Sequence, residues 1–365
     1  MEQLNFVNLI QAGITTIGIL GAVLLWQSKG NEYRGVALLL LMTAIASCIN
    51  IMEETGLTRD IYLISPVFIM LFGPASYLAI KLLIEKRLNR SQLLHLLPVL
   101  PVLMVTAYVE VVIAIGTVWR IVYASLTVLL LLNYKRLLDQ QRSDSDEFSL
   151  TWLMWILAIT ATFNLLDLLR LNLQHAIPMQ LNVFGQGLNN LIWLISAMLI
   201  IVKLQLQNKM PRTGQDASEK PVENTEENRV KSRAENATLN PVEQPESAQQ
   251  SEGDYAAIFV ELDRLVSNNA WYLTPRLTLN DVSELTGLQT RDISRAINVC
   301  AKKSFNEYIN GYRVDYVCQA LRQANKQSLT DIALDAGFSS KASFNKVFKH
   351  ITGQTPSQYK SANEV

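Results

Sequence analysis

Seven apolar runs fill the first two hundred or so residues of this chain, and they restrict its fold more than anything else in it. They lie at about Phe6–Trp26, Gly35–Met52, Ile61–Ile80, Leu93–Tyr108, Val118–Leu132, Leu150–Leu169 and Phe184–Val202. Crossing ~30 Å of hydrocarbon takes about 20 predominantly apolar residues in a helix. Inside lipid the backbone must satisfy its own polar groups, so only helices and closed barrels span. The chain is therefore expected to be all-α, opening with a polytopic helical membrane bundle of about seven spans. The fourth and fifth runs are the least clear. Between them lies Glu110-Val-Val-Ile-Ala-Ile-Gly116, either the end of a long tilted fourth span or a turn at the interface. Pro66, Pro74, Pro98 and Pro101 are expected to kink the third and fourth spans.

Charge in the short loops sets the orientation. One set carries Lys29 and Arg34, then Lys81, Lys86, Arg87 and Arg90, then Lys135, Arg136 and Arg142, with Lys203 and Lys209 after the last run. The other carries Arg59 among Glu53, Glu54 and Asp60, then Arg170 beside Asp167, with Arg120 near a span end. Basic residues favour the first set by roughly three to one, which makes it the cytoplasmic side. Seven spans then leave the N-terminus outside and the C-terminal part inside. Glu2 and the lack of any Lys or Arg before Phe6 argue for a retained first span rather than a cleaved leader.

Ionisable groups at span ends are costly unless paired or hydrated, so they can mark a ligand site. Glu53, Arg120, Asp167 and Arg170 are the candidates here for a signal site. The simpler reading is that span-end charges snorkel into the headgroup zone, and that Asp167 and Arg170, spaced i,i+3, pair with each other. Arg120 stands apart because Val118-Trp119 and Ile121-Val122 flank it. His95 reads as a packed or interfacial histidine.

Composition averages over two unlike halves. The chain is 49% hydrophobic and 18% charged, with a formal net charge of zero, so bulk charge points to no nucleic-acid partner. Cys48, Cys300 and Cys318 have no zinc or disulfide spacing, and no metal or cofactor is expected. Residues 207–253 contain no Phe, Trp or Tyr and are rich in Glu, Asn, Ser, Gln and Pro. Such a segment cannot bury enough apolar surface to offset its ordering entropy, so it is expected to be a disordered tether. The division that follows is residues 1–206 as membrane domain, 207–253 as linker and 254–365 as soluble domain.

The soluble part opens with Tyr255, Ile258, Phe259, Leu262, Leu265 and Val266 at helical spacing. Thr278 is placed to cap a short helix carrying Leu279, Val282 and Leu285, and Gly287 suits the turn after it. A second helix, Thr290 to Val299, turns Ile293, Ala296 and Ile297 inward and Arg291, Ser294, Arg295 and Asn298 outward. Ser304 to Ala324 reads as one long helix. The pattern then returns: Thr330, Ile332, Ala333, Ala336, Gly337 and Phe338 repeat the first unit. Ser339 or Ser340 caps a helix with Phe344, Val347 and Phe348 inside and Lys341, Ser343, Lys346 and Lys349 outside. No acid lies between Asp335 and Glu364, so this face is locally basic. Thr355-Pro356 starts a last helix, with proline at its first position. Helix, tight turn and second helix, given twice, is the layout of a helix-turn-helix reader of DNA.

Gly337-Phe338-Ser339-Ser340, Phe344, Phe348-Lys349, Gly353, Thr355-Pro356 and Tyr359 resemble the signature of the AraC/XylS family of transcription regulators. Ser294-Arg295, Phe305 and Tyr312-Arg313-Val314 are similar to that family's first unit. The resemblance covers Asp254 to Lys360 and leaves out the membrane half. It implies two helix-turn-helix units on a rigid connecting helix, entering successive major grooves of double-stranded DNA. Carried over by position, Arg291, Ser294 and Arg295 of the first unit and Lys341, Ser343 and Lys346 of the second are expected to read bases. Thr290, Ser340, Lys349 and Thr355 are expected to meet phosphates. Two departures stand out. Gln289 replaces the usual small capping residue, which would shift the cap to Thr290. Ala342 and Ser343 stand where larger side chains are frequent.

The expected function is a one-component transcription regulator held in the bacterial inner membrane, not an enzyme. Its expected partners are double-stranded DNA, membrane lipid, a second copy of the chain as homodimer, and a small-molecule or protein signal at the membrane domain. A flexible linker transmits torque poorly, so changes in dimerisation or local concentration are favoured as the means of control. The alternative is a transporter or membrane enzyme with an appended regulatory domain. It should show paired acids or His clusters within the spans. A histidine kinase is disfavoured by three histidines and no glycine-rich nucleotide loop.

Overall fold

A computed structural model of the chain describes residues 6–28, 30–58, 62–173, 176–209, 248–322 and 327–363. They fall into two compact units. Unit 1 comprises residues 1–134 and 150–213; unit 2 comprises 135–149 and 214–365.

Unit 1 is built from α1 (Phe6–Trp26), α2 (Arg34–Glu54), α3 (Ser65–Glu85), a 3-10 stretch (Arg90–Val99), the single turn α4 (Val102–Val105), most of α5 (Val109–Gln141), α7 (Thr151–Asn172) and α8 (Met179–Lys209). Among the described residues, five helices are long and apolar enough to cross a membrane, and two apolar stretches, Arg90–Val105 and Thr151–Asp167, are shorter. Thr151–Asp167 lies within the 22-residue α7, so among the described residues six of the seven apolar runs form long helices and the fourth does not. The cause at the fourth run is its prolines. Pro98 and Pro101 each lack an amide donor, and the run becomes a ten-residue 3-10 stretch followed by one α turn. The segment Glu110–Gly116 is neither the end of a tilted span nor an interfacial turn. It forms the first turns of α5, a 33-residue helix. Pro66 sits in the first turn of α3, where proline is accommodated, so only Pro74 lies within that helix.

Small residues let the unit 1 helices approach. A Cβ on Gly18 of α1 would stand 2.9 Å from the Leu40 carbonyl oxygen of α2. Ala22, Leu25, Ala37, Leu40, Ala197 and Ile201 pack into one apolar core, the close-contact style of association that helices use where water is absent. Large apolar side chains, among them Leu9, Leu24, Leu41, Ile121 and Leu129, remain exposed.

Unit 2 contains α9 (Ala248–Asn268), α10 (Leu279–Thr286), α11 (Thr290–Ala296), a π-type turn (Ile297–Ala301), α12 (Phe305–Arg322), α13 (Leu329–Asp335), α14 (Lys341–Thr352) and α15 (Pro356–Asn363). Its other piece is the segment 135–149, which holds the end of α5 and the short α6 (Ser145–Phe148). The predicted tether 207–253 lies for the most part outside the described residues. At its edges α8 runs to Lys209, and α9 begins at Ala248 rather than at 254. The helix expected over Thr290–Val299 gives way to the π-type turn at Ile297.

Two cores share α12 as their common wall. Leu262, Val266, Val282, Ile293 and Ile297 pack on its N-terminal residues Phe305, Tyr308 and Ile309. Ile332, Ala336, Phe338, Phe344 and Phe348 pack on its later residues Val314, Val317 and Leu321. Arg313, 1% exposed, lies between the two sets. Its guanidinium donates to the carbonyls of Tyr272 (2.7 Å) and Thr274 (2.8 Å), to Asn310 Oδ1 (3.1 Å) and to Ser143 Oγ (3.1 Å), and stacks 5.7 Å from the Phe338 ring centroid. Burial pulls its pKa down to about 10 and Asp144 partly restores it, so it stays charged at neutral pH. A buried cation so fully bonded is costly to disturb.

Candidate nucleic-acid interface and a polar cavity

The first helix pair is α10 and α11. Thr278 Oγ1 accepts the Asp281 amide (3.2 Å) and Asp281 returns the bond to the Thr278 amide (2.7 Å), a reciprocal cap. Gly287 ends α10 in the left-handed region, φ +73°. α11 starts after Gln289, whose side chain makes no capping bond, and the cap does not shift to Thr290. Ile293 and Ala296 are buried; Arg291 and Arg295 are exposed; Thr290 and Ser294 are half-buried at the edge of the same face. Arg295 donates to the Tyr255 hydroxyl at 3.2 Å.

The second pair is α13 and α14. Ser328 caps α13 and Ser340 caps α14, accepting the Ser343 amide at 3.2 Å. Gly337 has φ +87°, and a Cβ there would lie 2.7 Å from the Leu273 carbonyl oxygen. Lys341, Lys346 and Lys349 are exposed on α14. Ser343 is not: it is 9% exposed. The outward placement expected for it is corrected. It stands four residues before Val347 and beside Phe344, on the buried side of the helix. Thr355 caps α15 reciprocally with Gln358 (3.3 and 3.0 Å).

Segment 142–149 of unit 2 packs on this same domain, and sequence reasoning missed it. The Ser143 amide donates to the Leu277 carbonyl (3.0 Å), and Asn310 Nδ2 donates to the Ser143 carbonyl (3.0 Å). Asp144, 1% exposed, takes a two-pronged bond from Arg142 and lies 4.0 Å from Arg276. Ser339, next to the cap of α14, donates to Glu147 (2.8 Å), and Lys346 pairs with Asp146 (2.6 Å). The available signal was Asp144, Asp146 and Glu147 close together in a loop set otherwise rich in Lys and Arg.

Unit 1 carries an open cavity of about 390 Å³. Three of the four predicted signal residues, Arg120, Asp167 and Arg170, line it. Glu53 does not. Its carboxylate accepts the amides of Ile64 (2.7 Å) and Ser65 (3.0 Å) at the start of α3, where an acid offsets the unsatisfied donors of a helix end. Arg170 pairs with Asp167 at 2.8 Å and also bonds Asn182. Arg120 donates through Nε to the Ile69 carbonyl at 3.1 Å. Sequence reasoning overlooked the amides on the cavity wall: Gln11, Asn50, Asn164, Gln186, Asn189 and Asn190. Each interrupts an apolar run, which is the pattern that could have found them.

Residues 282–362 match a family model described as a helix-turn-helix domain. An uncharacterized HTH-type transcriptional regulator of Staphylococcus aureus (strain COL) is 37% identical over 84 residues, 23% of this chain and 11% of that protein. A second uncharacterized HTH-type transcriptional regulator of Staphylococcus aureus is 38% identical over 84 residues. The melibiose operon regulatory protein of Escherichia coli (strain K12) is 32% identical over 88 residues, 24% of this chain and 29% of that protein. This chain thus spans well under two thirds of the length of the relatives it matches. No solved structure matches it. What it shares with known proteins is a helix-turn-helix domain near its C-terminus.

Proposed function

We propose that this chain is a membrane-bound, one-component transcription regulator of the AraC/XylS type, with unit 1 in the bacterial inner membrane and unit 2 in the cytoplasm. The observation that carries the reading is the repeated helix pair on α12, each with an apolar inner row and a basic outer row, together with the helix-turn-helix match over 282–362. Arg291 and Arg295, with Ser294 at the edge, read bases in one groove; Lys341 and Lys346 read in the next. Thr290, Ser340, Lys349 and Thr355 meet phosphates. The five long apolar helices and their exposed apolar side chains support membrane residence, and the loop charges support a cytoplasmic unit 2. The signal acts on unit 1 at Arg120, Asp167 and Arg170, and a second copy of the chain is the expected oligomeric partner.

The test is a genome-wide map of DNA occupied by the full-length protein. Discrete sites next to promoters, lost in the Arg291→Ala/Arg295→Ala double variant, are the expected result. Even, sequence-blind occupancy would discard the regulator reading. A reporter fused after Val365 and found active on the outer face would discard the topology.

A further inference from the structure

We propose that the unit 1 cavity is a binding site for a small organic acid, with its single negative charge set against Arg120 and an apolar or aromatic body against Phe72, Tyr123 and Trp193. This rests on the reading of unit 1 as the signal-sensing half and names the class of signal. The charged groups on the wall are Arg120, Arg170 and Asp167, a balance of one excess positive charge. Asp167 is engaged by Arg170. Among the described residues Arg120 has one hydrogen-bond acceptor, the Ile69 carbonyl, taken by Nε. Its two terminal amino groups, the fork that suits a carboxylate, have none. Glu54 is spoken for behind the wall, where it accepts from Gln186 (2.8 Å), and Glu53 caps α3. A second observation points to a ligand independently. Gln11 Oε1, Asn189 Oδ1 and Asn190 Nδ2 are buried without a hydrogen-bond partner on the same wall. Buried polar groups are seldom left so, and a small rotation of these wall side chains would turn them toward a polar occupant. Ile69, Phe72 and Trp193 give the wall an apolar side, while Thr117, Thr160 and Asn164 add polar groups, so the occupant is amphipathic.

The full-length protein in phosphatidylcholine nanodiscs, titrated with 4-phenylbutyrate and its uncharged amide, tests this by tryptophan fluorescence and thermal shift. The acid should bind at least ~10-fold more tightly than the amide. Arg120→Gln should abolish that preference, and Arg120→Lys should keep most of it, which separates lost charge from lost fold. Equal binding of acid and amide, an unchanged preference in Arg120→Gln, or no saturable binding by arylalkanoates of any chain length overturns the proposal. Competition by added phosphatidylglycerol would assign the anion to lipid and overturn the free-acid choice. If the amide alone binds and shifts promoter output, the class fails while the sensing reading stands. If the acid binds and promoter output does not move, the sensing reading fails while the site stands.

A separate observation carries a second inference. The geometry points to segment 142–149 as a brake that competes with DNA for the second helix pair, an inference that rests on the DNA-binding reading. Asp146 holds Lys346, and Glu147 holds Ser339 beside the cap of α14. A duplex on this helix pair would require Lys346 for base reading and free access to Ser340, the phosphate-facing neighbour of Ser339. The bond from the Ser143 amide to the Leu277 carbonyl and the bond from the Asn310 side-chain amide to the Ser143 carbonyl anchor the segment, so the acids are held in place rather than drifting across the surface. The segment follows directly on α5, the helix that carries Arg120.

The full-length protein and a duplex selected from random sequence provide the test. Asp146→Asn/Glu147→Gln should tighten binding about tenfold, and a control that removes the same charge elsewhere, Glu284→Gln/Asp335→Asn, should change it far less. Saturating duplex should also speed hydrogen exchange at the Ser143 amide. Equal effects of the two double variants, or a Ser143 amide equally protected with and without duplex, overturn the brake. Absence of duplex binding in every form overturns it together with the DNA-binding reading.

Discussion

The two helix pairs of unit 2 follow one plan and differ in almost every detail that touches solvent. The first opens α11 on an uncapped Gln289 and presents two arginines; the second opens α14 on a capping serine and presents three lysines. Arginine binds guanine with two hydrogen bonds in fixed geometry, while lysine is a mobile point charge. The first pair is therefore suited to choosing a sequence, and the second to holding the duplex. The second is also the pair whose Lys346 and Ser339 are engaged by Asp146 and Glu147. On the proposed function, selectivity and control would thus fall on different copies of the same motif.

The sharpest way to break this comparison is at the turns. Gly337→Ala puts a Cβ 2.7 Å from the Leu273 carbonyl in a left-handed backbone, and should cost about 3–5 kcal/mol in urea unfolding. Gly287→Ala meets no atom within 4 Å and should cost only about 1–2 kcal/mol, the left-handed penalty alone. Equal losses would mean that the second turn is not the crowded one.

Next in size is recognition. Arg291→Ala and Arg295→Ala should each remove ~1–3 kcal/mol of discrimination between operator and scrambled duplex. Lys349→Ala should weaken both duplexes alike and lower the salt slope by about 1. Should Lys349→Ala lose discrimination and the arginine variants keep it, the assigned roles are reversed. The smallest expected difference is in the caps. Ser340→Ala should cost about 1 kcal/mol of stability. Gln289→Ala should cost a few tenths at most, and Gln289→Ser should stabilise by roughly 0.5 kcal/mol. A neutral Gln289→Ser would show that α11 gains nothing from a capping side chain.

Much of this was legible in the chain. Thr278, Ser340 and Thr355 cap where their positions relative to the apolar rows required, and Gly287 and Gly337 take positive φ at the turns. These are local properties, set by a few neighbouring residues. Ser343 was misplaced because its i,i+4 relation to Val347 puts it on a boundary that only the packing of Phe344 and Phe348 resolves. The fourth apolar run was read as one helix because hydropathy averages over Pro98 and Pro101, while backbone geometry does not.

Periodicity and charge alone determined the helical class, the repeated helix pair and its basic face, because each depends on side-chain spacing of 3.6 residues or on composition summed over a segment. Tertiary structure alone decided that Arg120, Asp167 and Arg170 share a cavity while Glu53 caps a helix, that Arg313 is buried between two cores, and that an acidic segment reaches Lys346. Most of those contacts join residues far apart in the chain, and nothing in a local pattern specifies which distant partner a side chain will meet.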